Sequence, residues 1–115
     1  MELESGLPAE AQSRLQAFKR EVEKALPGEV VEVRLFGSRA RGDAKDDSDY
    51  DVAVFLRNTS DRLETIRILS DASYPHILDG FFLNPIGLPA DYLNPAGGSR
   101  TELAAEISRE GIVIR

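Results

Sequence analysis

The chain has 115 residues, of which 42% are hydrophobic and 30% charged, so it can form one buried core but not two. Its 14 Lys and Arg residues are outnumbered by 20 Asp and Glu residues, and the net charge of −6 argues against broad binding to a nucleic-acid backbone. The absence of cysteine excludes disulfides, thiolate nucleophiles and cysteine-bound zinc, and a single histidine excludes a multi-histidine metal centre within one chain. We expect residues 1–115 to form a single domain.

The hydropathy pattern gives no indication of a membrane protein. No apolar run approaches the roughly 20 residues that a membrane-spanning helix needs. The acidic N-terminus, Met1-Glu2-Leu3-Glu4, lacks the hydrophobic stretch of a signal peptide. We therefore expect a cytoplasmic protein with no membrane contact.

The first half of the chain predicts a helix and two strands separated by a loop. Apolar residues recur every three or four positions over residues 8–26, which predicts an amphipathic helix. Alternating apolar residues predict strands over residues 29–36 and 49–56. The intervening loop, residues 37–48, can begin with a helical turn at Ser38.

A second helix is predicted after the second strand. Asp61 and Glu64 fit a capping box, in which the two residues satisfy the free N–H groups at a helix start. Leu63, Ile66 and Leu69 supply the apolar stripe of this helix. We therefore expect these three side chains to face the core.

The third strand is open to two interpretations. Pro75 is expected to end or kink the second helix. In one interpretation, Asp79-Gly80 begins the third strand and places an acidic residue at its start. In the other, Asp79-Gly80 caps a helix that resumes after Pro75, and a strand over residues 81–88 contains Asn84 but no acid. His76, beside Pro75, is expected to be a surface or hydrogen-bonded histidine, not a catalytic base.

The remainder of the chain predicts a connection, a helix and a short strand. Residues 84–98 contain three of the six prolines and predict an ordered, extended connection. Ser99 and Glu102 fit a second capping box, and Gly111 ends the helix that they begin. Residues 112–114 form a short final strand or docking segment. The whole pattern predicts a mixed α/β (α+β) fold, with a small mixed sheet of three to four strands flanked by helices.

Two carboxylates at the start of the second strand predict a metal site. Asp49 and Asp51 are two residues apart in an extended segment, so their side chains project from the same face. Mg²⁺ prefers oxygen ligands and usually binds through one or two carboxylates together with substrate phosphates and water. Two such ions can clamp the attacking and leaving oxygens of a phosphoryl displacement.

The residues that begin the loop are suited to the phosphate end of a substrate. Gly37 lets the backbone approach a phosphate closely, and free N–H groups at the start of a helical turn bind anions. The hydroxyl of Ser38 can donate one more hydrogen bond. Arg39 and Arg41 add positive charge, and a guanidinium matches a phosphate bidentately, although residues two apart on a helical turn point in different directions. All four are candidate nucleotide-binding residues.

These residues resemble the signature of the minimal nucleotidyltransferases of the DNA polymerase β-like superfamily. The resemblance is carried by Gly37-Ser38-Arg39-Ala40-Arg41-Gly42 and by Ser48-Asp49-Tyr50-Asp51-Val52-Ala53-Val54. It implies Mg²⁺-dependent transfer of a nucleoside monophosphate, which we expect to be AMP, from an NTP such as ATP to a hydroxyl group. It also implies a HEPN-domain toxin as a partner, which such proteins silence by attaching AMP to a tyrosine or by binding it.

The resemblance leaves the third catalytic carboxylate undecided. Active members usually place one more acidic residue on the third core strand, where it helps to activate the attacking hydroxyl. Asp79 is the acidic residue close to that strand, and we assign it as the third catalytic candidate beside Asp49 and Asp51. The alternative hypothesis is a catalytically weak or inactive antitoxin or regulatory protein that acts by binding a HEPN-type partner.

Overall fold

The structure is a computed structural model that describes residues 7–93 and 102–115. In chain order its elements are α1 (Ala9–Ala25), β1 (Val30–Phe36), α2 (Ser38–Arg41), β2 (Tyr50–Leu56), α3 (Arg62–Leu78), β3 (Leu83–Pro89), a 3-10 turn (Ala90–Leu93), α4 (Glu102–Glu110) and β4 (Ile112–Val113). The predicted mixed α+β fold class is confirmed. The described part of the expected extended connection is β3 and the 3-10 turn, and the rest of it, with Ser99, lies outside the described residues.

The four strands form one mixed sheet in the order β3-β2-β1-β4. β1 is antiparallel to both β2 and β4, whereas β2 and β3 run parallel. The register places Phe36, the last residue of β1, opposite Asp51, and Asp51 opposite Asn84 of β3. The end of β1 and the starts of β2 and β3 therefore meet at one end of the sheet.

The two faces of the sheet are covered by different helices. On one face, α1 contributes Leu15, Phe18 and Val22, all fully buried in the larger apolar cluster. Removing each of these side chains from water contributes roughly 1.5–3 kcal/mol to the free energy of folding. On the other face, Ile107 of α4 packs against a smaller cluster that includes Phe55 of β2. Packing on both faces of the sheet thus fixes the position of β2, at whose start the polar residues lie.

Helix α3 differs from the prediction in its extent and in the face that it buries. Asp61 caps it as expected, because its Oδ1 accepts a hydrogen bond from the Glu64 N–H at 3.0 Å. The helix continues through Pro75 to Leu78, so Pro75 does not end it. The part of α3 beyond Pro75 contacts α1 through His76 and Arg14, and this contact stabilises it.

The apolar stripe predicted for α3 is wrong at two of its three positions. Leu69 is buried, but Leu63 is 81% exposed and Ile66 is 53% exposed. The apolar residues of α3 are distributed around the helix, and the packing against β3 decides which of them are buried. None of the helices within the described residues is long and apolar enough to cross a membrane.

Candidate functional site

The backbone of Gly37 touches the carboxylate of Asp51. Gly37 has φ +78°, a left-handed conformation that a residue with a Cβ rarely adopts. A Cβ added at this position would lie 2.5 Å from Asp51 Oδ2. Both conformation and contact therefore require glycine here, and the contact follows from the pairing of Phe36 with Asp51.

Helix α2 begins immediately after this contact, at Ser38. Gly37 O accepts hydrogen bonds from the N–H groups of Ala40 and Arg41, at 3.1 and 3.0 Å, which closes the first helical turn. The N–H groups of Ser38 and Arg39 precede this pattern and have no intrahelical acceptor. The start of α2, with the Ser38 hydroxyl, therefore adjoins Asp51 with donors suited to phosphate oxygens.

The second oxygen of Asp51 accepts a hydrogen bond from β3. Asn84 Nδ2 donates to Asp51 Oδ1 at 2.9 Å. The half-buried Asp51 carboxylate is thus held between the Gly37 backbone and the Asn84 amide. Asp49 lies two residues earlier, is exposed, and immediately precedes β2, so extended geometry directs its side chain to the same face.

The structure does not bring Asp79 to this site. Asp79 is the C-cap of α3, and Gly80 follows it with φ +89°, so the helix-cap interpretation is the correct one. Its carboxylate Oδ2 accepts a hydrogen bond from Arg14 Nη1 at 2.9 Å and is 59% exposed. The third-strand position beside Asp51 belongs to Asn84, because β3 begins only at Leu83.

Arg14 also contacts His76, the single histidine of the sequence. Arg14 Nη1 lies 3.1 Å from His76 Nδ1, which must accept since a guanidinium can only donate. His76 is buried, and this burial lowers its pKa from the usual 6.5, with the positive charge of Arg14 acting in the same direction. His76 is thus a hydrogen-bonded histidine between α1 and α3, as expected.

Both candidate arginines contact other residues of the protein. Arg39 Nη2 donates to Ser48 O at 2.9 Å, and its guanidinium lies 4.5 Å from the centre of the Tyr50 ring. Arg41 donates to Asp43 and to Glu110, both at 3.2 Å, and these hydrogen bonds raise the pKa of its guanidinium. Arg39 is directed to the loop before β2, and Arg41 is directed to α4.

The carboxylates at the site suit Mg²⁺. In residues 7–93 and 102–115, no group of three or more His, Cys, Asp or Glu side chains is arranged to hold a metal ion. Mg²⁺ typically needs only one or two protein carboxylates and takes its remaining ligands from substrate phosphates and water. The contact of Gly37 with one oxygen of Asp51 and of Asn84 with the other fixes the orientation of that carboxylate. The residues fit a hard divalent ion that arrives with a nucleotide.

A cavity of about 710 Å³ lies between α3 and β3 and reaches Asn84. Its lining includes the exposed side chains of Ile66, Tyr74 and Ile86. β3 lies at one edge of the sheet, and its prolines lack the N–H group that pairing with a further strand would need. This surface is therefore suited to side-chain contacts, and its polar end adjoins Asp51.

The sequence interpretation missed this surface. The signal was present, because the apolar residues of α3 do not form a single stripe and some must remain on the outside. A helix whose apolar residues surround it is either buried on several sides or binds a further element.

The chain resembles proteins of one enzyme family. Residues 15–109 match the family model described as "Nucleotidyltransferase domain". "Putative protein adenylyltransferase MJ0141" of Methanocaldococcus jannaschii is 31% identical over 72 residues, which are 63% of this chain and 73% of that protein.

Solved structures resemble the fold. The "Structure of putative minimal nucleotidyltransferase" has a TM-score of 0.57 and 26% identity, with 94% of this chain and 97% of that chain covered. The "Crystal structure of the toxin-antitoxin with AMP-PNP" has a TM-score of 0.59 and 17% identity, with 87% of this chain and 72% of that chain covered. A nucleotidyltransferase-like protein of Sulfolobus solfataricus has a TM-score of 0.54 and 20% identity, with 95% and 89% covered. The last two likenesses concern the fold alone.

Proposed function

Because this chain belongs to the nucleotidyltransferase domain family, we propose that it transfers AMP from ATP to a hydroxyl group in an Mg²⁺-dependent reaction. The observation that carries the proposal is the Asp51 carboxylate, held between the Gly37 backbone and the Asn84 amide. Asp49 is directed to the same face. This arrangement holds a metal-binding carboxylate directly beside the donors at the start of α2.

Each part of the site has a distinct task in this reaction. The Gly37 backbone and the Ser38 hydroxyl bind the phosphates of the nucleotide, and Asp49 and Asp51 hold two Mg²⁺ ions. Bound Mg²⁺ neutralises the charge that develops on the phosphate oxygens. The acceptor oxygen forms a bond to the α-phosphorus while the bond from that phosphorus to the bridging oxygen of the β-phosphate breaks. Pyrophosphate leaves, and the proton of the acceptor hydroxyl passes to water. The two site segments orient these groups for an in-line displacement.

Asn84 bears on the nature of the acceptor. An amide cannot accept the proton of the attacking hydroxyl, so the position beside Asp51 offers no dedicated general base. A tyrosine phenol, with a pKa of about 10, loses its proton much more readily than an aliphatic hydroxyl does. We therefore propose a tyrosine as the acceptor.

We further propose that this tyrosine belongs to a partner protein of the HEPN toxin type. The named relative is described as a protein adenylyltransferase, and one protein with the same fold is part of a toxin–antitoxin complex. The apolar surface lined by Ile66, Tyr74 and Ile86 adjoins Asn84, so a protein bound there would present its side chains close to Asp51.

Transfer of labelled AMP tests the proposal. The protein is incubated with Mg²⁺, ATP labelled in its adenine and a candidate partner, and the label on the partner is counted. Asp51→Asn should lose transfer, whereas Asp71→Asn, an exposed carboxylate paired with Arg67 on α3, should retain it. Equal transfer by Asp51→Asn and the wild type would refute the role of the site.

A second candidate function is inhibition by binding alone, and Asn84 in place of a third acid favours it. In that case the protein would bind and inhibit its partner without modifying it. Inhibition that survives in an Asp49→Ala, Asp51→Ala double variant, with no AMP on the partner, would support this function over transfer. Inhibition that disappears in the double variant and depends on ATP would support transfer.

A further inference from the structure

A stack of three side chains lies beneath the candidate site. The guanidinium of Arg39 lies 4.5 Å from the centre of the Tyr50 ring. Tyr50 in turn stacks on Phe81, with 4.3 Å between ring centroids and an angle of 23° between the ring planes. Both aromatic residues are buried. We call Arg39, Tyr50 and Phe81 the aromatic stack.

The aromatic stack joins the three segments that carry the site. Arg39 is on α2, Tyr50 begins β2, and Phe81 precedes β3. The Tyr50 N–H also donates to Phe82 O at 2.8 Å, so the backbones of the last two segments are linked at the same level. Each member of the stack is close in sequence to residues of the site. These neighbours are Ser38 for Arg39, Asp49 and Asp51 for Tyr50, and Asn84 for Phe81.

Arg39 also holds the loop that leads to Asp49. Its Nε and Nη2 donate to Ser48 O at 3.2 and 2.9 Å, and Nη2 donates to Asp46 O at 3.2 Å. Hydrogen bonds between Lys45 and Ser48 shape this loop internally. The hydrogen bonds from Arg39 instead link the end of this loop to α2. They act on the carbonyl directly before Asp49, whose exposed side chain depends on the backbone for its position.

We propose that Arg39 is a positioning residue for the metal site, and this inference rests on the proposed function of Asp49 and Asp51. Two nitrogens of the guanidinium fix the Ser48 carbonyl, and its Cζ lies over the Tyr50 ring. Together these contacts set the position of Asp49 relative to Asp51 and relative to the start of α2. Arg39 therefore acts on the metal through the backbone and has no contact with the phosphates. A guanidinium that bound a phosphate through Nε or Nη2 would have to give up the loop carbonyls.

Binding of Mn²⁺ separates positioning from direct phosphate contact, because Mn²⁺ takes the same oxygen ligands as Mg²⁺. Mn²⁺ affinity is measured by electron paramagnetic resonance with a non-hydrolysable ATP analogue present. Binding of the analogue without divalent ion is measured in parallel. Arg39→Met should weaken Mn²⁺ binding about 10- to 100-fold, as is typical when an outer-shell partner of a metal ligand is removed. Analogue binding without metal should not change.

Two further variants sharpen the comparison. Arg39→Lys keeps the charge over Tyr50 but loses the fork to the Ser48 carbonyl, so its Mn²⁺ affinity should lie between those of the wild type and Arg39→Met. Arg67→Met removes an exposed arginine of α3 whose partners are Glu64 and Asp71, and it should bind Mn²⁺ like the wild type. Near-ultraviolet circular dichroism verifies that each variant is folded.

Three results would overturn the assignment. Unchanged Mn²⁺ affinity in a folded Arg39→Met variant refutes positioning, and if that variant does not fold, unchanged affinity in Arg39→Lys refutes it equally. Loss of analogue binding in the absence of metal would show that Arg39 contacts the phosphates directly. If Asp51→Asn binds Mn²⁺ as tightly as the wild type does, the proposed function itself is wrong. If Asp51→Asn loses Mn²⁺ binding but the Arg39 variants do not, only the positioning role of Arg39 is wrong.

Discussion

Replacing Gly37 by alanine should disable the site and leave the fold in place. The added Cβ would lie 2.5 Å from Asp51 Oδ2 and 3.4 Å from its Cγ. A carbon and an oxygen atom that are not bonded approach to roughly 3.3 Å at closest, so the carboxylate must withdraw by about 1 Å. A displacement of about 1 Å in a catalytic arrangement can reduce the rate on the order of 100-fold.

The strain of the alanine backbone is a separate effect that a matched variant measures. Gly37 has φ +78° and Gly28 has φ +74°, but a Cβ at Gly28 would meet nothing within 4 Å. A left-handed conformation costs a residue with a Cβ roughly 1–2 kcal/mol. Gly37 also has ψ −158°, a combination with positive φ that is essentially confined to glycine, so Gly37→Ala should lose more unfolding free energy than Gly28→Ala. Only Gly37→Ala should lose AMP transfer and Mn²⁺ affinity.

The assays are urea denaturation for the unfolding free energy, labelled-AMP transfer for the rate, and Mn²⁺ titration for the site. A Gly37→Ala variant with the wild-type rate would refute the inferred role of the contact with Asp51. Equal loss of rate in Gly28→Ala would show that backbone strain, and not the position of the carboxylate, controls activity.

Three further predictions concern the acceptor, the pH dependence and the partner surface. Asn84→Asp should increase the rate of transfer to an acceptor with serine in place of tyrosine, and this increase should be about tenfold or more larger than the increase for the tyrosine acceptor. The reason is that a general base typically contributes 10²–10⁴-fold. Equal increases for the two acceptors would contradict this prediction. Burial, and then the charge of Arg14, lowers the pKa of His76 in the folded state. The unfolded state therefore binds the proton more tightly, and the unfolding free energy should fall as the pH drops below about 6.5, until it levels off below the folded-state pKa. Urea denaturation at a series of pH values gives the unfolding free energy as a function of pH. This free energy should depend less on pH in His76→Gln than in the wild type, and an unchanged pH dependence would exclude His76 as the cause. Ile66→Glu should weaken partner binding measured by calorimetry, whereas Val31→Glu, an exposed apolar residue of β1, should not; equal effects would place the partner elsewhere.

The elements that could be predicted are those set by local sequence. The helix expected over residues 8–26 is Ala9–Ala25, and the strands expected over residues 29–36 and 49–56 are Val30–Phe36 and Tyr50–Leu56. Their periodic apolar residues determine both the type of element and the buried face. The mixed fold class follows from their order.

Helix α3 could not be predicted to the same extent, because its packing depends on β3. Gly87 of β3 lies against Thr65 and Leu69, where a Cβ would meet Thr65 Cγ2 at 3.0 Å. This close approach decides that Leu69 is buried while Leu63 remains outside. The sequence of α3 alone does not contain that information.

The proximity of the loop start to the start of β2 could be predicted, but the internal geometry of the candidate site could not. The contact of Gly37 with Asp51 arises from the register of β1 with β2, which pairs residues 15 positions apart. Asp79 could not be placed, because its position depends on whether the helix continues past Pro75. The charge of Arg39 indicates a phosphate ligand, and the sequence does not predict its contacts with Tyr50 and with the loop before β2.

We propose that Asp49 and Asp51 support chemistry at the α-phosphorus of ATP. The most direct test supplies the protein and its partner with ATP labelled at the α-phosphate in one reaction and at the γ-phosphate in another. Transfer of a nucleotide predicts that the partner acquires label only from the α-phosphate, and that Asp51→Asn abolishes this transfer. Label acquired from the γ-phosphate, or α-label that persists in Asp51→Asn, would contradict the claim.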